Sequence, residues 1–401
     1  MNVSSKQESI PFSRPSLTGE EFDFLKQVFE IGKFSGKGYF SKSCRAWFAE
    51  HYGTSSVLMT PSCTHALEIA AMLTDVGPGD EVILPSFTFT STATAFARCG
   101  ASLVFVDVRP DTMNIDPGQI ERAITSRTKV ITTMDYAGVA CDYDRINEIA
   151  HANGLIVVED AAQALLCSYN GKWCGTLGDL GCFSFHETKN LHCGEGGALV
   201  AGNQDYFERA EIIQEKGTDR SRFLRGEVDK YTWQDVGSSY ELSEINGSIL
   251  RCQLEHAKTI MQDRRRSWET YQEILTPLAR SGQIGVPHVP QPCVHNGHIY
   301  HIKTQDKTDR DTLIAFLKAR GIQATFHYVP LHSAPAGLRF GRFHGEDRWT
   351  TAESEKLLRL PLYYRMEQAH VVRVAEAVKE YYGHDRGGSS ILTSALPRSA
   401  D

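Results

Sequence analysis

Short, nearly unbroken apolar runs alternate with longer amphipathic stretches through the first half of the chain. VILPSF at Val82–Phe87, SLVFVDV at Ser102–Val108, VITTMDY at Val130–Tyr136, LIVVED at Leu155–Asp160 and GALVAG at Gly197–Gly202 predict strands. A strand buried on both faces reads as a continuous apolar run instead of an alternation, and these segments have that character. Between them, His65–Leu73, Ser91–Cys99 and Tyr143–Asn153 predict helices. The pattern predicts an α/β fold built on a mostly parallel central sheet covered on both sides. Ligands of such sheets bind outside the carboxyl ends of the strands. Pro85-Ser86-Phe87, Tyr136-Ala137-Gly138, Asp160 and Ser184 all fall at or near such ends.

The pattern changes after about residue 200. Gly217–Tyr240 is charged and poor in strand signals, which predicts a long excursion. Ser243–Ala279 carries Ile245, Ile249, Leu250 and Leu254 at helical spacing and predicts one long helix leading into a smaller domain. There HIYHIKT and ATFHYVP predict strands, Asp309–Arg320 a helix with an Asp cap ending before Gly321, and Val371–Tyr382 a last helix. The expected division is a large domain over residues 8–250 and a smaller α/β domain over 251–383. Residues up to Gln7 are expected to form a loose leader. The aperiodic segment 384–401 is expected to be a disordered tail.

Composition narrows the class. In a chain of 401 residues, 41% hydrophobic content suffices for a large core. A net charge of −7 argues against a general nucleic-acid binder. No apolar run approaches the ~18–20 residues of a membrane span, and the N-terminal MNVSSKQESIPFSRP lacks a secretory apolar core. The ten cysteines are scattered, with no CxxC pair, which predicts reduced thiols in the cytoplasm and no metal site.

The chemistry concentrates at two places. The run Ile156–Val158 delivers Asp160, with Gln163 just beyond. Some thirty residues on, Lys189 follows Phe183–Phe185 and precedes Gly194, Gly196 and Gly197. A lysine is ordinarily a solvated surface charge, but this one lies between an apolar strand and a glycine cluster. Desolvation depresses an amine's pKa and makes it an imine former and a proton carrier. An acid at a strand end together with such a lysine supplies the two polar anchors of a pyridoxal phosphate site. Ser62-Cys63-Thr64 before HALEIAAML fits a helix N-terminus facing an anion, and fits an ordinary helix cap equally well.

FSFHETKN at Phe183–Asn190 with GEGG at Gly194–Gly197 resembles the FSFxxxKN…GxGG motif of the DegT/DnrJ-type sugar aminotransferases. The resemblance runs from about Ile10 to Tyr382. GKFSGKGYF, TPSCTHALE, PGDEVILPSFTFTSTA, FVDVRPDTMNID, YAGVACD, EKGTDRSRFLRGEVDKYTWQDVGSSY and FHYVPLHSAPAG resemble one subgroup, the transaminases that make dTDP-4-amino-4,6-dideoxygalactose from dTDP-4-oxo-6-deoxyglucose. It implies an aspartate-aminotransferase-like fold (fold type I) that binds pyridoxal 5′-phosphate, with Lys189 as the Schiff-base lysine and Asp160 paired to the pyridine nitrogen. Gln163 is implied beside the ring and its 3-hydroxyl, and Phe89 stacked on the ring. Ser62, Cys63, Thr64 and Ser184 are implied at the phosphate, with Asn246 reaching the phosphate of a neighbouring subunit. Tyr136 and His186 are implied as pocket-lining residues, and His327, Tyr328 and His332 as sugar-facing ones. Arg220, in the basic loop EKGTDRSRFLRGEVDKY, would attract a nucleoside diphosphate. The implied donor is L-glutamate and the implied assembly a homodimer with shared sites. Relatives usually have His before Tyr-Ala-Gly, where this chain has Asp135. Sugar 3-dehydratases of the same fold carry histidine in place of the lysine, so Lys189 speaks against that branch. A 3-amino product, the gluco epimer and a cofactor-binding regulator that does not turn over remain open from sequence.

Overall fold

The computed structural model describes residues 8–383, so the expected leader and the expected tail 384–401 lie outside the described residues. An eight-stranded sheet runs in the order Val57–Thr60, Gly197–Ala201, Leu180–Ser184, Ile156–Asp160, Thr128–Met134, Glu81–Pro85, Ser102–Val106, Gly341–Phe343. The six strands from Leu180–Ser184 onward are parallel. Gly197–Ala201 runs antiparallel to both its neighbours. The fold is the expected α/β class.

Burial explains the unbroken apolar runs. Val157, Ile83 and Val104 pack into one core together with Phe48, Ile146 and Phe183. Val158, Val82, Leu84 and Leu103 face the other way, against Leu67, Ile69 and Phe96. Each such side chain contributes about 1.5–3 kcal/mol on burial. The strands end earlier than their apolar runs: Ser86 and Phe87 follow Pro85, and Tyr136 opens a short turn after Met134, all three buried.

The predicted long helix is two, Glu244–Glu255 and Ala257–Arg280, broken at His256, which closes the first and opens the second. The second packs on Gln368–Gly383 and on an antiparallel sheet ordered Tyr300–Lys303, Leu357–Leu360, Thr325–Phe326, around Tyr271, Leu275, Leu313, Leu358 and Val374. The helix Lys307–Ala319 is capped by Asp306, three residues before the expected Asp309. Only Thr325–Phe326 of the expected strand Ala324–Pro330 is paired. Beyond it Tyr328 takes φ +37 and bends the chain toward the sheet. The segment Gly341–Phe343 then joins the large sheet beside Ser102–Val106, tying the C-terminal part to it. The helices Glu21–Ile31, Tyr39–Tyr52 and Gln204–Gln214 and the short Arg220–Leu224 are further elements beyond the sequence expectation. No helix among the described residues is long and apolar enough to cross a membrane.

Candidate active site

A cleft of about 550 Å³ opens at the carboxyl ends of the parallel strands. Asp160 ends its strand there, 4% exposed. Thr92 Oγ1 donates to its Oδ2 at 2.6 Å, the backbone N–H of Ala162 to its Oδ1 at 3.1 Å. Thr92 is in turn held by Thr88, 2.9 Å between hydroxyls. Burial pushes the Asp160 carboxyl above the ordinary carboxylate range, opposed by Thr92, Ala162 and the charge of Lys189. A buried acid in this state lacks a cation in contact with it.

Lys189 stands near the tip of a hairpin between Leu180–Ser184 and Gly197–Ala201. Beyond the strands the hairpin is continued by Phe185 N–H to Gly196 O at 2.8 Å and Glu187 N–H to Gly194 O at 2.9 Å. Asn190, the next residue, is pinned from two sides: Ser16 Oγ donates to its carbonyl at 2.9 Å, and its Oδ1 sits 2.8 Å from His298 Nδ1. The backbone on which Lys189 rides is therefore fixed. Its half-buried amine lines the cleft, and burial lowers its pKa while Cys63 and Asp160 act in the opposite direction.

Two helix N-termini converge on the far end. Ser62 caps Cys63–Leu73, accepting from His65 N–H at 3.2 Å. Thr64 Oγ1 meets Ser91 Oγ at 2.7 Å across to the helix Thr90–Arg98. Unpaired N–H groups and aligned peptide dipoles make such a place attractive to an anion. Gly197 lets the turn sit so close, since a Cβ there would lie 2.4 Å from Ser62 C and 2.5 Å from Cys63 N. Ser184 completes this wall.

Gln163 bridges the two parts of the protein. Its Oε1 accepts from Ala137 N–H at 2.7 Å, and its Nε2 donates to Tyr328 Oη at 3.0 Å. His327 stacks on Tyr328 with ring centres 3.6 Å apart and meets Tyr136 Oη through Nδ1 at 2.9 Å. Burial drives the imidazoles of His327 and His298 well below their ordinary pKa, helped by Lys189 and Arg359, so both are neutral near pH 7. Phe89 remains 54% exposed beside this pair, its ring centre 6.3 Å from that of Tyr328.

A model of the DegT/DnrJ/EryC1/StrS aminotransferase family matches residues 15–379. The chain belongs to that family. It is a pyridoxal-phosphate-dependent sugar aminotransferase by class. A pleiotropic regulatory protein of Geobacillus stearothermophilus is 35% identical over 321 residues, spanning 80% of this chain and 83% of that protein. The aminotransferase TlmJ from Streptoalloteichus hindustanus superposes with a TM-score of 0.86 at 30% identity, over 94% of this chain and 99% of that one. The PLP form of Spr1654 from Streptococcus pneumoniae gives 0.83 at 25% identity, over 94% and 99%.

The residues of this aminotransferase fit its cofactor. The buried Asp160 wants a cation, which a protonated pyridine nitrogen supplies. Among the described residues the Lys189 amine has no hydrogen-bond or ion-pair partner, leaving it free for an aldehyde. The Ser62–Thr64 turn offers an anion cradle, and the cleft holds the space between.

The structure gathers Ser62, Cys63, Thr64, Phe89, Asp160, Gln163, Ser184, His186, Lys189, His327 and Tyr328 around one cleft. Four predicted residues lie elsewhere. Tyr136 is fully buried behind His327 and reaches the cleft only through that imidazole. His332 bonds Ser86 Oγ at 2.7 Å and Asp347 at 3.2 Å, outside the cleft. Arg220 pairs with Glu215 at 3.3 Å. Asn246 spends its amide on Cys193 O and Glu195 O, at 2.9 and 2.8 Å, bracing the lysine hairpin of its own chain. Sequence reasoning missed Ser91, Thr92, Arg264, His298 and Arg359. Only Ser91 and Thr92 had a local signal, as hydroxyls opening a helix beside Phe89. Away from the cleft, Asp135, Glu159 and Cys174 bring ligand-type atoms within 4.8 Å of one another, a grouping the scattered sequence positions did not announce.

Proposed function

We propose that the protein transfers an amino group from L-glutamate to the C4 ketone of dTDP-4-oxo-6-deoxy-D-glucose, giving dTDP-4-amino-4,6-dideoxy-D-galactose for surface-polysaccharide precursors. The observation that carries the transaminase chemistry is the partnerless Lys189 amine facing the buried Asp160 in one cleft. The resemblance of FHYVPLH and the basic loop to the dTDP-sugar subgroup supports the substrate.

When bound, pyridoxal phosphate supplies the electron sink for the carbanion. The rest falls to the chain. Asp160 keeps the pyridine nitrogen protonated, and Thr92 keeps Asp160 ionised. Ser62, Cys63, Thr64 and Ser184 would hold the phosphate, with Phe89 and Gln163 beside the ring. Lys189 is the residue that would hold the cofactor, through its aldehyde. The freed Lys189 amine removes the proton from Cα of glutamate and later delivers one to C4 of the sugar. A lysine with depressed pKa serves as base and acid in turn near neutral pH. Neutral His327 with Tyr328 faces the sugar, His186 borders the mouth, and the uncharged imidazole accepts a hydroxyl hydrogen without adding another cation. We read the working unit as a homodimer with shared sites, in which Asn246 reaches the phosphate of the neighbouring copy. We also read residues 8–250 and 251–383 as its two domains.

The decisive experiment incubates the enzyme with glutamate and the 4-oxo sugar nucleotide and reads the product by NMR. An axial C4 amine is expected. An equatorial amine, or amination at C3, overturns the assignment. Lys189→Ala should abolish turnover and the borohydride-trapped cofactor adduct together. A relative named as a regulatory protein gives the second reading, binding without turnover. Under it the cofactor's absorbance band near ~400–430 nm would not change when glutamate is added.

A further inference from the structure

His298 lines the same cleft as Lys189 and is held at three points. Its backbone N–H donates to Asn296 Oδ1 at 3.0 Å, and its carbonyl accepts from Arg264 Nη2 at 2.8 Å. Its Nδ1 sits 2.8 Å from Oδ1 of Asn190, the residue after Lys189. The Asn190 amide can face only one way. Its Nδ2 lies 3.1 Å from Asn296 O and 3.3 Å from Met261 Sδ, and a carbonyl oxygen and a thioether accept but do not donate. Oδ1 is therefore the atom that meets the imidazole, and Nδ1 carries the hydrogen of that bond. Burial, reinforced by the charges of Lys189, Arg264 and Arg359, keeps the ring neutral near pH 7. No carboxylate pairs with Arg359 among the described residues to offset its share. A neutral imidazole has a single N–H, so Nε2 is a bare acceptor. Unlike His301 Nδ1, which is sealed in the interior, Nε2 has no hydrogen-bond partner among the described residues and stays open to the cleft.

We propose that His298 is a positioning residue for the proton carrier: its Nε2 accepts a hydrogen from the Lys189 amine and so aims that amine's lone pair at the reacting carbon. The inference rests on the aminotransferase reading of this cleft. A neutral amine has two hydrogens and one lone pair, and only the lone pair can take a proton from carbon. An imidazole of the other tautomer would donate to that lone pair and block it. The one fixed by Asn190 can only accept, which leaves the lone pair free. Once Lys189 has taken the proton, the same nitrogen accepts from the ammonium, a charge-assisted bond that holds it until the proton is delivered. Asp160 does not serve this purpose, because its oxygens are engaged by Thr92 and Ala162 and, on the reading above, by the pyridine nitrogen. Asn190 follows Lys189 directly in the chain, so the lysine and the imidazole that orients it stay in register.

The test compares wild type, His298→Asn and His298→Gln as holoenzymes. Asn keeps an N–H for Asn190 and places nothing where Nε2 stood. Its Tm, its cofactor titration and both KM values should stay close to wild type, the KM values within about twofold. Its kcat should fall roughly 10- to 100-fold in each half-reaction, the worth of a hydrogen bond to a charged group. Glutamate deuterated at Cα should show a larger isotope effect than in wild type. Gln, whose longer side chain returns a carboxamide oxygen toward the lost Nε2, should regain part of the rate and covers the case in which the Asn variant does not fold. A second readout needs no turnover: 15N-histidine NMR of enzyme loaded with pyridoxamine phosphate, in which Lys189 is a free amine. There Nδ1 should carry the hydrogen, and Lys189→Ala should move the Nε2 resonance. A wild-type kcat in His298→Asn, or an Nε2 resonance that Lys189→Ala leaves in place, overturns the proposal. So does a raised nucleotide-sugar KM with the glutamate half-reaction intact, since His298 would then serve the sugar. If the wild type aminates no sugar, the glutamate-driven absorbance change and the NMR still judge His298, so the two failures are separable.

Discussion

Asp135, just before Tyr136-Ala137-Gly138, has surroundings that allow a sharp test. It directly follows the strand Thr128–Met134, Glu159 lies in the neighbouring strand Ile156–Asp160, and both are fully buried. Asp135 Oδ1 accepts from Cys141 N–H at 2.9 Å and Tyr143 Oη at 3.1 Å, while its Oδ2 has no donor. Glu159 accepts from the N–H groups of Gly175 and Leu177. The titratable groups around the pair are Tyr143 and the thiols of Cys141, Cys167, Cys174 and Cys293, all neutral. With no cation near, burial raises Asp135 from 3.8 to about 6, and burial plus the Asp135 charge holds Glu159 well above its ordinary value. The pair therefore keeps one proton at neutral pH and carries a single charge.

The unfolded chain releases the Asp135 proton near 3.8 and the folded chain near 6. Between those values the folded state binds more protons, so stability declines as pH climbs through that window. A tenfold change in proton affinity is worth about 1.4 kcal/mol, which makes the share of the decline that belongs to Asp135 about 3 kcal/mol. Asp135→Asn keeps the Oδ1 acceptor for Cys141 and Tyr143 and gives Glu159 a donor, so the share of the decline that belongs to Asp135 disappears while that of buried Glu159 remains. At pH 8 the variant should be more stable by up to about 3 kcal/mol, a Tm rise of about 4 °C for a chain of this length. Near pH 4 the two proteins should melt together. The assay is thermal unfolding from pH 4 to 8 at fixed protein and cofactor concentration, with and without a chelator. Parallel curves, or a variant less stable at pH 8, refute the reasoning. A wild-type Tm lowered by the chelator does so too, because a cation would then be holding the pair in place of the proton.

Thr92→Val removes the 2.6 Å bond that keeps Asp160 ionised. The acid limb of the kcat/KM profile should move to higher pH and kcat fall roughly tenfold; an unmoved limb would show that Thr92 does not tune Asp160. Gly197→Ala drives a Cβ to 2.4 Å from the Ser62 carbonyl carbon, a backbone atom that cannot swing aside. It should cost about 1–3 kcal/mol of stability and weaken cofactor binding, read by Tm and cofactor titration; a wild-type Tm with full cofactor occupancy would contradict the crowding. Asn190→Ala frees the lysine hairpin from His298. It should slow proton transfer while leaving Asp160 and cofactor affinity intact, seen as a lower kcat with unchanged cofactor titration.

Taken alone, the sequence determined the α/β class and the position of the cleft. Two-sided burial forces continuous apolar strands, and a parallel sheet presents its carboxyl ends on one edge. It also determined the Asp160, Gln163 and Lys189 stations, because a strand end and a glycine-flanked hairpin are local features. Their neighbours were not local. Arg359, His298 and Arg264 lie at least about 75 residues from Lys189 along the chain and reach its cleft through long-range contacts such as His298 with Asn190, Asn296 with Gln163 and Leu165, and the pairing of Gly341–Phe343 with the large sheet. Tyr136 and His332 look equally plausible in a linear motif, yet tertiary packing turned one into a buried brace and the other toward Asp347. Only the folded chain decided which charges lack partners. The unmatched Arg359 and the one-proton pair Asp135–Glu159 exist because burial removes water from groups that sequence separates, and pairing across the fold decides what replaces it.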